Sequence, residues 1–470
     1  MADASDIRLT AAWVASAVGG VCVSGDRDRE FGGVSIDTRT VAYGELFVAI
    51  RGDRFDGADF AAAAIAAGAG GVVIPRGRGG LLPVAHATVI EVDDTTAALQ
   101  TLAHAVRQAS GTKVVAITGS AGKTTTKEVT SEFLSARFHV ARTRGNLNNH
   151  IGLPLSLIEL RKRPEIAVVE LGMNHAGEIS TLVRVAAPEV RVWTNVGEAH
   201  LGFFASVDAI ADAKAEIFEG ATADTVLVAN ADDQRIVRRM PSFAGRVVTF
   251  GIDQPADVHA TDVVSRGVEG MTAHVATPRG TFELVTPLIG SGNLANVLAA
   301  TAVAVHFDVP LVDLAAAAAR LQAAPRRGEV VRLAGGVTLI DDSYNANPTA
   351  TTRALELLGA APVASRRIAI LGEMLELGEQ GASLHEGVGR AAARVGVDML
   401  VTVGGASAAA MASAAIAGGL DAARVHHFAT SDAAADLAAI QIAAGDLVLV
   451  KGSRGIRTDR VVDRLKAEFA

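Results

Sequence analysis

The segment that most narrows the possible folds is Val114-Val115-Ala116-Ile117-Thr118-Gly119-Ser120-Ala121-Gly122-Lys123-Thr124-Thr125. A run rich in β-branched residues enters a glycine-containing turn, and a helical pattern follows. A buried strand, a tight turn and a helix N-terminus form an anion cradle, because backbone N–H groups and the helix dipole converge there. Glycines let the backbone approach phosphate oxygens, Lys123 adds positive charge for β/γ-phosphates, and Thr124 offers a hydroxyl to Mg2+. The long form of this motif, G-x-x-x-x-G-K-[ST], wants glycine where this chain has Ile117, so the turn is the shorter G-x-x-G-K-T form. A chance G-K-T in a strand-to-helix turn is the alternative, and the flanking strand and helix argue against it. The segment predicts nucleoside triphosphate binding in an α/β domain.

The remainder repeats this alternation. At 470 residues the chain exceeds one core and suits about two to four domains. Before the loop, helical stretches Leu9–Val18, Ala58–Ala67 and Thr95–Ala109 alternate with strand-like Glu45–Ile50, Gly71–Ile74 and Val89–Val92, and Ser110-Gly111 marks a boundary. After it, strands are expected at Ile166–Leu171, Val190–Asn195, Thr225–Asn230 and Arg246–Phe250, in a parallel sheet between helices. Val258–Leu288 reads as short strands with turns at Arg266–Gly270 and Pro278–Gly280, an expected antiparallel flap. Asn293–His306 reads as a helix. The last third predicts strands at Val337–Ile340, Arg367–Leu371, Met399–Val403, Arg424–Phe428 and Leu447–Val450 in a doubly wound sheet. The expectation is three α/β domains: a smaller N-terminal one (1–109), a central P-loop parallel-sheet ATPase domain with its flap (110–325), and a C-terminal Rossmann-like one (326–470).

Composition removes several classes. Net charge is −8, which gives no basic surface for nucleic acid. Hydrophobic residues are 50% and charged residues 20%, a globular balance. Apolar runs such as Ala61–Ala67 are too short to span a bilayer. Asp3 and Asp6 stand where a secretory signal would be basic, so a cytoplasmic protein is expected. Cys22 is the sole cysteine, excluding an internal disulfide or a Cys-based zinc site.

Charge-handling candidates sit at strand ends. Glu170 closes the apolar run Ile166–Val169, where a carboxylate can hold Mg2+ directly or through water. His200, in Thr194-Asn195-Val196-Gly197-Glu198-Ala199-His200-Leu201-Gly202, follows another strand end, and a structural histidine is the alternative. Lys214 and Glu216 lie in the helical stretch Asp208–Phe218, where a solvated face is the ordinary reading. Asn293 and Asn296 share a helix face; Asn293 could equally be an N-cap.

Together these stretches resemble the Mur ligases, the ATP-dependent amide-bond-forming enzymes that build the peptidoglycan stem peptide. The resemblance rests on Gly119–Thr125, Gly145-Asn146-Leu147-Asn148-Asn149-His150-Ile151-Gly152, Glu170–Asn174 and Thr194–Gly202. It continues through Asn293-Leu294-Ala295-Asn296, Asp341-Asp342-Ser343-Tyr344-Asn345-Ala346-Asn347-Pro348, Leu371–Gly378 and Val450-Lys451-Gly452-Ser453-Arg454-Gly455. Ser35-Ile36-Asp37-Thr38-Arg39, Gly44–Phe47 and Phe55-Asp56-Gly57 extend it to the N-terminal third, covering essentially the whole chain in order. Within the family, the D-S-Y-N-A-N-P and L-G-E-M-x-E-L-G stretches resemble the member joining D-Ala-D-Ala to UDP-N-acetylmuramoyl-tripeptide. The D-N-P-R-type motif of the sibling that adds a diamino acid is absent.

The resemblance implies ATP and a pair of Mg2+ ions, and a role for each matched residue. Gly119, Ser120, Ala121, Gly122, Lys123, Thr124 and Thr125 would hold ATP phosphates. Thr124 and Glu170 would hold the first Mg2+, and His200 would help hold the second. Lys214 would carry a carbamate, an anionic metal ligand made from a neutral amine and CO2. Asn293 and Asn296 would approach adenine, although the family's usual preceding histidine is Gly292 here. Arg327 would reach ATP phosphates and Asp342 the ribose, with Asn345 and Asn347 lining the same cleft. Ser35, Asp37, Thr38 and Arg39 would bind the UDP-sugar, for which an ordinary polar turn is the alternative. Asn148 and Asn149 belong to the substrate set, and Lys451, Ser453 and Arg454 would face the dipeptide, with His385 and Glu373 nearby. A monomer without a membrane span is expected.

Other classes fit less well. A P-loop GTPase would need a guanine-reading N-K-x-D segment, which the chain lacks. A P-loop kinase would not need an amine as further substrate. A non-catalytic relative would not be expected to keep Lys123, Thr124, Glu170, His200 and Lys214 together.

Overall fold

The computed structural model describes residues 6–82, 87–143, 145–361 and 365–470; Asp3 lies outside them. The described chain packs into two compact units. One holds residues up to Ile117, Phe138–Arg191 and Glu216–Val226; the other holds Thr118–Arg137, Val192–Ala215 and Leu227–Ala470.

In the first unit Val21–Ser24, Thr88–Val92, Gly71–Pro75, Leu46–Val48 and Val34–Ser35 lie side by side in that order. The first pair is antiparallel and the others are parallel. Phe47, Val72, Ile74 and Val89 pack there against Ala58, Ala61 and Ala64, small side chains that bring the helical segment close to the sheet. Helix Thr95–Ser110 starts where Asp94 accepts the Thr96 and Ala97 amides and stops at Gly111 in the left-handed region.

The same unit holds a parallel group in the order Val140–Arg142, Ile166–Glu170, Lys113–Thr118. Val114 to Ile117 are fully buried, as expected of a parallel strand covered on both faces. Glu170 lies beside Ile117 in register, at the end where the strand runs into the glycine turn.

In the second unit, helix Lys123–Ser135 packs against helix Ser291–His306. Strands Arg246–Gly251, Val258–Ser265, Met271–Thr277 and Gly280–Thr286 are consecutive neighbours. The expected antiparallel flap is present: Val258–Ser265, Met271–Thr277 and Gly280–Thr286 pair antiparallel in turn, and Val258 and His259 pair with Phe250 and Gly251, which joins the flap to the sheet edge.

The last sheet runs Glu329–Arg332, Thr338–Asp342, Leu447–Lys451, Arg367–Gly372, Met399–Val403, Val425–Phe428. It is parallel except at Glu329–Arg332, a half-exposed edge strand without a clear alternating pattern that the sequence reading did not anticipate. Leu339, Ile370, Val401 and Val450 pack against Ala434, Val461 and Leu465 on one face. Asp342 and Lys451 are register partners at the carboxyl ends, where ligands bind in open α/β sheets. No described helix is long and apolar enough to cross a membrane.

Candidate nucleotide and ligase site

The phosphate loop is held by side chains from neighbouring segments. The Asn195 amide brackets Ala121: its Oδ1 accepts the Ala121 N–H at 2.8 Å, and its Nδ2 donates to the Ala121 carbonyl at 3.0 Å. Thr194 Oγ1 donates to the same carbonyl at 2.8 Å. Ser120 Oγ accepts the Gly197 N–H at 2.9 Å. Gly122, at φ +80°, caps the Lys123–Ser135 helix, and a Cβ there would meet Asn296 Oδ1 at 2.2 Å. The chain therefore takes a conformation open to glycine, and the first amides of the helix face the loop without intrahelical partners. Lys123 folds its ammonium back onto the Gly119 carbonyl at 2.7 Å.

Helix Ser291–His306 begins before Asn293, so the N-cap reading of that residue is corrected. Asn293 Nδ2 instead donates to the Ile289 carbonyl at 2.9 Å, and Asn296 Nδ2 donates to Asn293 Oδ1 at 3.3 Å. Buried Asn296 also accepts from Thr126 Oγ1 at 3.2 Å, which ties it to the phosphate-loop helix.

Lys123, His200 and Lys214 form a basic cluster. Lys214, on helix Val207–Ala215, is 2% exposed, so the solvated-face reading fails for it. Burial first, and the Lys123 charge second, push its amine well below the ordinary lysine range. His200, at φ +62°, is lowered by burial and then by Lys123, against the raising effect of Glu376. Its Nδ1 lies 2.6 Å from Glu376 Oε2. Glu216 lies elsewhere: its carboxylate accepts the Gly177 and Ser180 amides at 2.6 and 3.1 Å, capping helix Glu178–Ala186.

Glu170 is 4% exposed and accepts from Asn148 Nδ2 at 2.8 Å. Asn149 is occupied locally, accepting the Gly152 N–H at 2.8 Å. No three His, Cys, Asp or Glu side chains converge on one point among the described residues. Magnesium usually keeps several waters and takes one or two carboxylates beside phosphate oxygens, so a single buried carboxylate such as Glu170 is chemically suited to such an ion.

At the carboxyl ends of the last sheet, Lys451 is 3% exposed and donates to Asp342 Oδ2 at 2.6 Å and to the Asn345 carbonyl at 2.9 Å. The expected ribose acceptor and dipeptide-facing cation therefore meet in one ion pair. Arg327 lies over the Tyr344 ring, 3.9 Å from its centroid. Asn347 Oδ1 caps helix Pro348–Ala360 by accepting the Ala350 N–H at 2.8 Å. Buried Ser453 accepts the Leu375 N–H at 2.9 Å, whereas Arg454 is exposed.

His385 is corrected as a candidate for facing substrate. His385 is fully buried; its Nδ1 donates to the Gly381 carbonyl at 2.6 Å, and its Nε2 accepts the Met374 N–H at 2.8 Å. Glu373 accepts the Gly405 N–H at 2.5 Å and fixes a turn. In the N-terminal part, Ser35, Asp37 and Thr38 are half-buried, and Arg39 closes on Asp37 at 2.6 Å. That hydrogen bond takes the Asp37 carboxyl down to about 2. Asn195 and Glu376, quoted within motifs but given no role, are the residues that sequence reasoning missed.

Family models match in the order of these regions. The Mur ligase family, catalytic domain, covers residues 30–107, the Mur ligase middle domain 117–304, and the Mur ligase, glutamate ligase domain 326–454. The UDP-N-acetylmuramoyl-tripeptide--D-alanyl-D-alanine ligase of Escherichia coli K12 is 37% identical over 92% of this chain and 93% of its own. The crystal structure of MurF from Acinetobacter baumannii superposes with a TM-score of 0.88 at 31% identity, covering 98% of this chain and 99% of its own. The MurF ligase of Thermotoga maritima in complex with ADP superposes at 0.81 with 29% identity, covering 93% and 97%. The chain belongs to the Mur ligase family.

Proposed function

We propose that this chain joins D-Ala-D-Ala to UDP-N-acetylmuramoyl-tripeptide with hydrolysis of ATP to ADP and phosphate, in peptidoglycan precursor synthesis. The observation that carries the reading is the basic cluster at the phosphate loop, Lys123, His200 and buried Lys214, in a chain related along its length to ligases of that name.

A carboxylate resists amine attack because oxide is a poor leaving group. Transfer of the γ-phosphoryl group to the acceptor carboxylate gives an acyl phosphate. The amine of the dipeptide attacks it, and the tetrahedral intermediate expels phosphate. Anions approach one another in the first step, so catalysis is mainly positioning and charge neutralisation. Lys123 supplies charge at the phosphates, and the loop amides of Gly119–Thr125 cradle them. Bound magnesium would neutralise phosphate charge and orient the oxygens; Thr124, Glu170, His200 and carbamylated Lys214 are the residues proposed to hold it. The depressed Lys214 amine supports the carbamate, since only a neutral amine captures CO2.

In the same reading residues 1–109 bind the UDP-sugar through Ser35, Asp37, Thr38 and Arg39, and 110–325 bind ATP. Residues 326–470 complete the ATP site through Asp342, Asn345 and Arg327 and receive the dipeptide near Asn347, Lys451, Ser453 and Arg454. Asn293 and Asn296 belong to the adenine side, and Asn148 and Asn149 to the acceptor side. The proposed enzyme is a cytoplasmic monomer.

The test is phosphate release with Mg2+-ATP and UDP-N-acetylmuramoyl-tripeptide, comparing D-Ala-D-Ala, diaminopimelate, lysine and no amine. Turnover only with D-Ala-D-Ala is expected. Turnover with the dipeptide precursor and a diamino acid instead would make the chain the sibling ligase.

A further inference from the structure

One loop serves both the phosphate loop and the C-terminal region. Asn195 and Gly197 hold Ala121 and Ser120. Three residues on, the same loop engages residues of the 326–454 family domain. Thr349 Oγ1 donates to Glu198 Oε2 at 2.6 Å, the His200 ring meets the Glu376 carboxylate at 2.6 Å, and the Gly202 N–H donates to the Glu376 carbonyl at 2.7 Å. Gly202 and Gly378 come so close that a Cβ on Gly378 would lie 3.0 Å from Gly202 Cα. His200 and Glu376 both sit in the left-handed region, at φ +62° and +64°, so each side chain is aimed by a constrained backbone. A carboxylate can only accept, so a neutral imidazole carries its proton on Nδ1 here. Nε2 is left unprotonated, with no protein partner among the described residues.

We infer that Glu376 is a positioning residue for the ATP-dependent step: it fixes His200 as the Nδ1–H tautomer and leaves Nε2 as an acceptor. Because Glu376 is carried by the 326–454 domain, the correct form of His200 depends on that domain being docked on the 195–202 loop. Seating of the C-terminal domain thereby reaches a candidate metal ligand beside the phosphate loop, without Glu376 itself touching nucleotide. Partners that orient a ligating histidine commonly change metal affinity or activity by about 10–100-fold. This inference rests on the ligase reading for the role of His200, while its tautomer is measurable independently.

The experiment uses full-length protein labelled with 15N-histidine, the His200 signal being assigned by its loss in His200→Gln. Two-bond 1H–15N spectra report the tautomer, and Mn2+ titration in the presence of ADP reports cation binding. The expected result for Glu376→Ala is a shift of His200 to the Nε2–H form, Mn2+ affinity weakened about 10-fold or more, and kcat lowered about 10–100-fold with little change in KM for the UDP-substrate. Glu376→Gln, whose carbonyl still accepts from Nδ1–H, should retain the tautomer and recover much of kcat. Thr349→Val cuts the neighbouring Glu198 contact without touching the ring, and should leave the tautomer unchanged and kcat within about 3-fold of wild type. Retention of the Nδ1–H form in Glu376→Ala, or equal losses of kcat in Thr349→Val and Glu376→Ala, would overturn the inference. Absence of wild-type turnover with D-Ala-D-Ala would instead defeat the ligase reading, and the tautomer and Mn2+ measurements would still decide the role of Glu376.

Discussion

Lys451 buries its ammonium against Asp342, 2.6 Å away, at adjacent carboxyl ends of two parallel strands. The Asp342 side chain is 24% exposed against 4% for the Lys451 side chain, so deleting either partner is unequal in cost. Asp342→Ala strands the buried ammonium and should destabilise the protein by about 2–4 kcal/mol in urea unfolding. Asp342→Asn keeps an acceptor and should lose less. Equal stability of Asp342→Ala and wild type would remove the pair from any structural account of this strand end.

Lys214 sets function against stability. Between its depressed folded value and the ordinary lysine range, the unfolded chain binds a proton that the folded chain does not, so stability rises with pH through that window. Lys214→Met removes the burial penalty and should stabilise the protein at neutral pH in bicarbonate-free buffer, by about 1 kcal/mol or more. Turnover should fall about 100-fold or more, and a short-chain carboxylic acid should partly rescue Lys214→Ala. Undiminished turnover in either variant would exclude a catalytic carbamate.

His385 makes the fold sensitive to acid. Burial lowers the imidazole from its usual value, so its contribution is complete above about pH 6.5 and is lost as pH falls below it. The limiting slope is about 1.4 kcal/mol per pH unit for one proton. Urea unfolding of wild type and His385→Gln at pH 7.5 and 5.5 should show the gap between them narrowing in acid. A gap of constant size would mean that this histidine does not titrate on unfolding.

Gly122 tests the loop by a double substitution. Gly122→Ala places a methyl 2.2 Å from Asn296 Oδ1 at a φ of +80°, and should abolish ADP binding and cost about 1–2 kcal/mol in backbone strain alone. Adding Asn296→Ala relieves the contact but not the strain, so the melting temperature should recover only in part. Full recovery would show that the left-handed backbone contributes nothing.

The phosphate loop was legible because its function depends on consecutive residues: a buried strand, glycines and Lys123 in one short run. The C-terminal sheet was legible for a similar reason, since parallel strands covered on both faces read as unbroken apolar runs. Glu329–Arg332 and Val140–Arg142 were not, because short partly exposed edge strands carry almost no periodic signal. The edge attachment of Val258–Ser265 was missed since strand pairing is a long-range choice that local pattern does not encode. Lys214 looked like a surface helix residue; only tertiary packing buries it. Glu376 lies 176 residues from His200, and neither sequence neighbourhood names the other.

The Asn195 bracket around Ala121 moves a cost from one process to another. A flexible loop would have to be ordered by each arriving nucleotide, whereas here the ordering is completed when the chain folds. Nucleotide affinity is then partly a property of a side chain that need never meet the nucleotide, and weakening the bracket should loosen ADP while every contacting group stays in place.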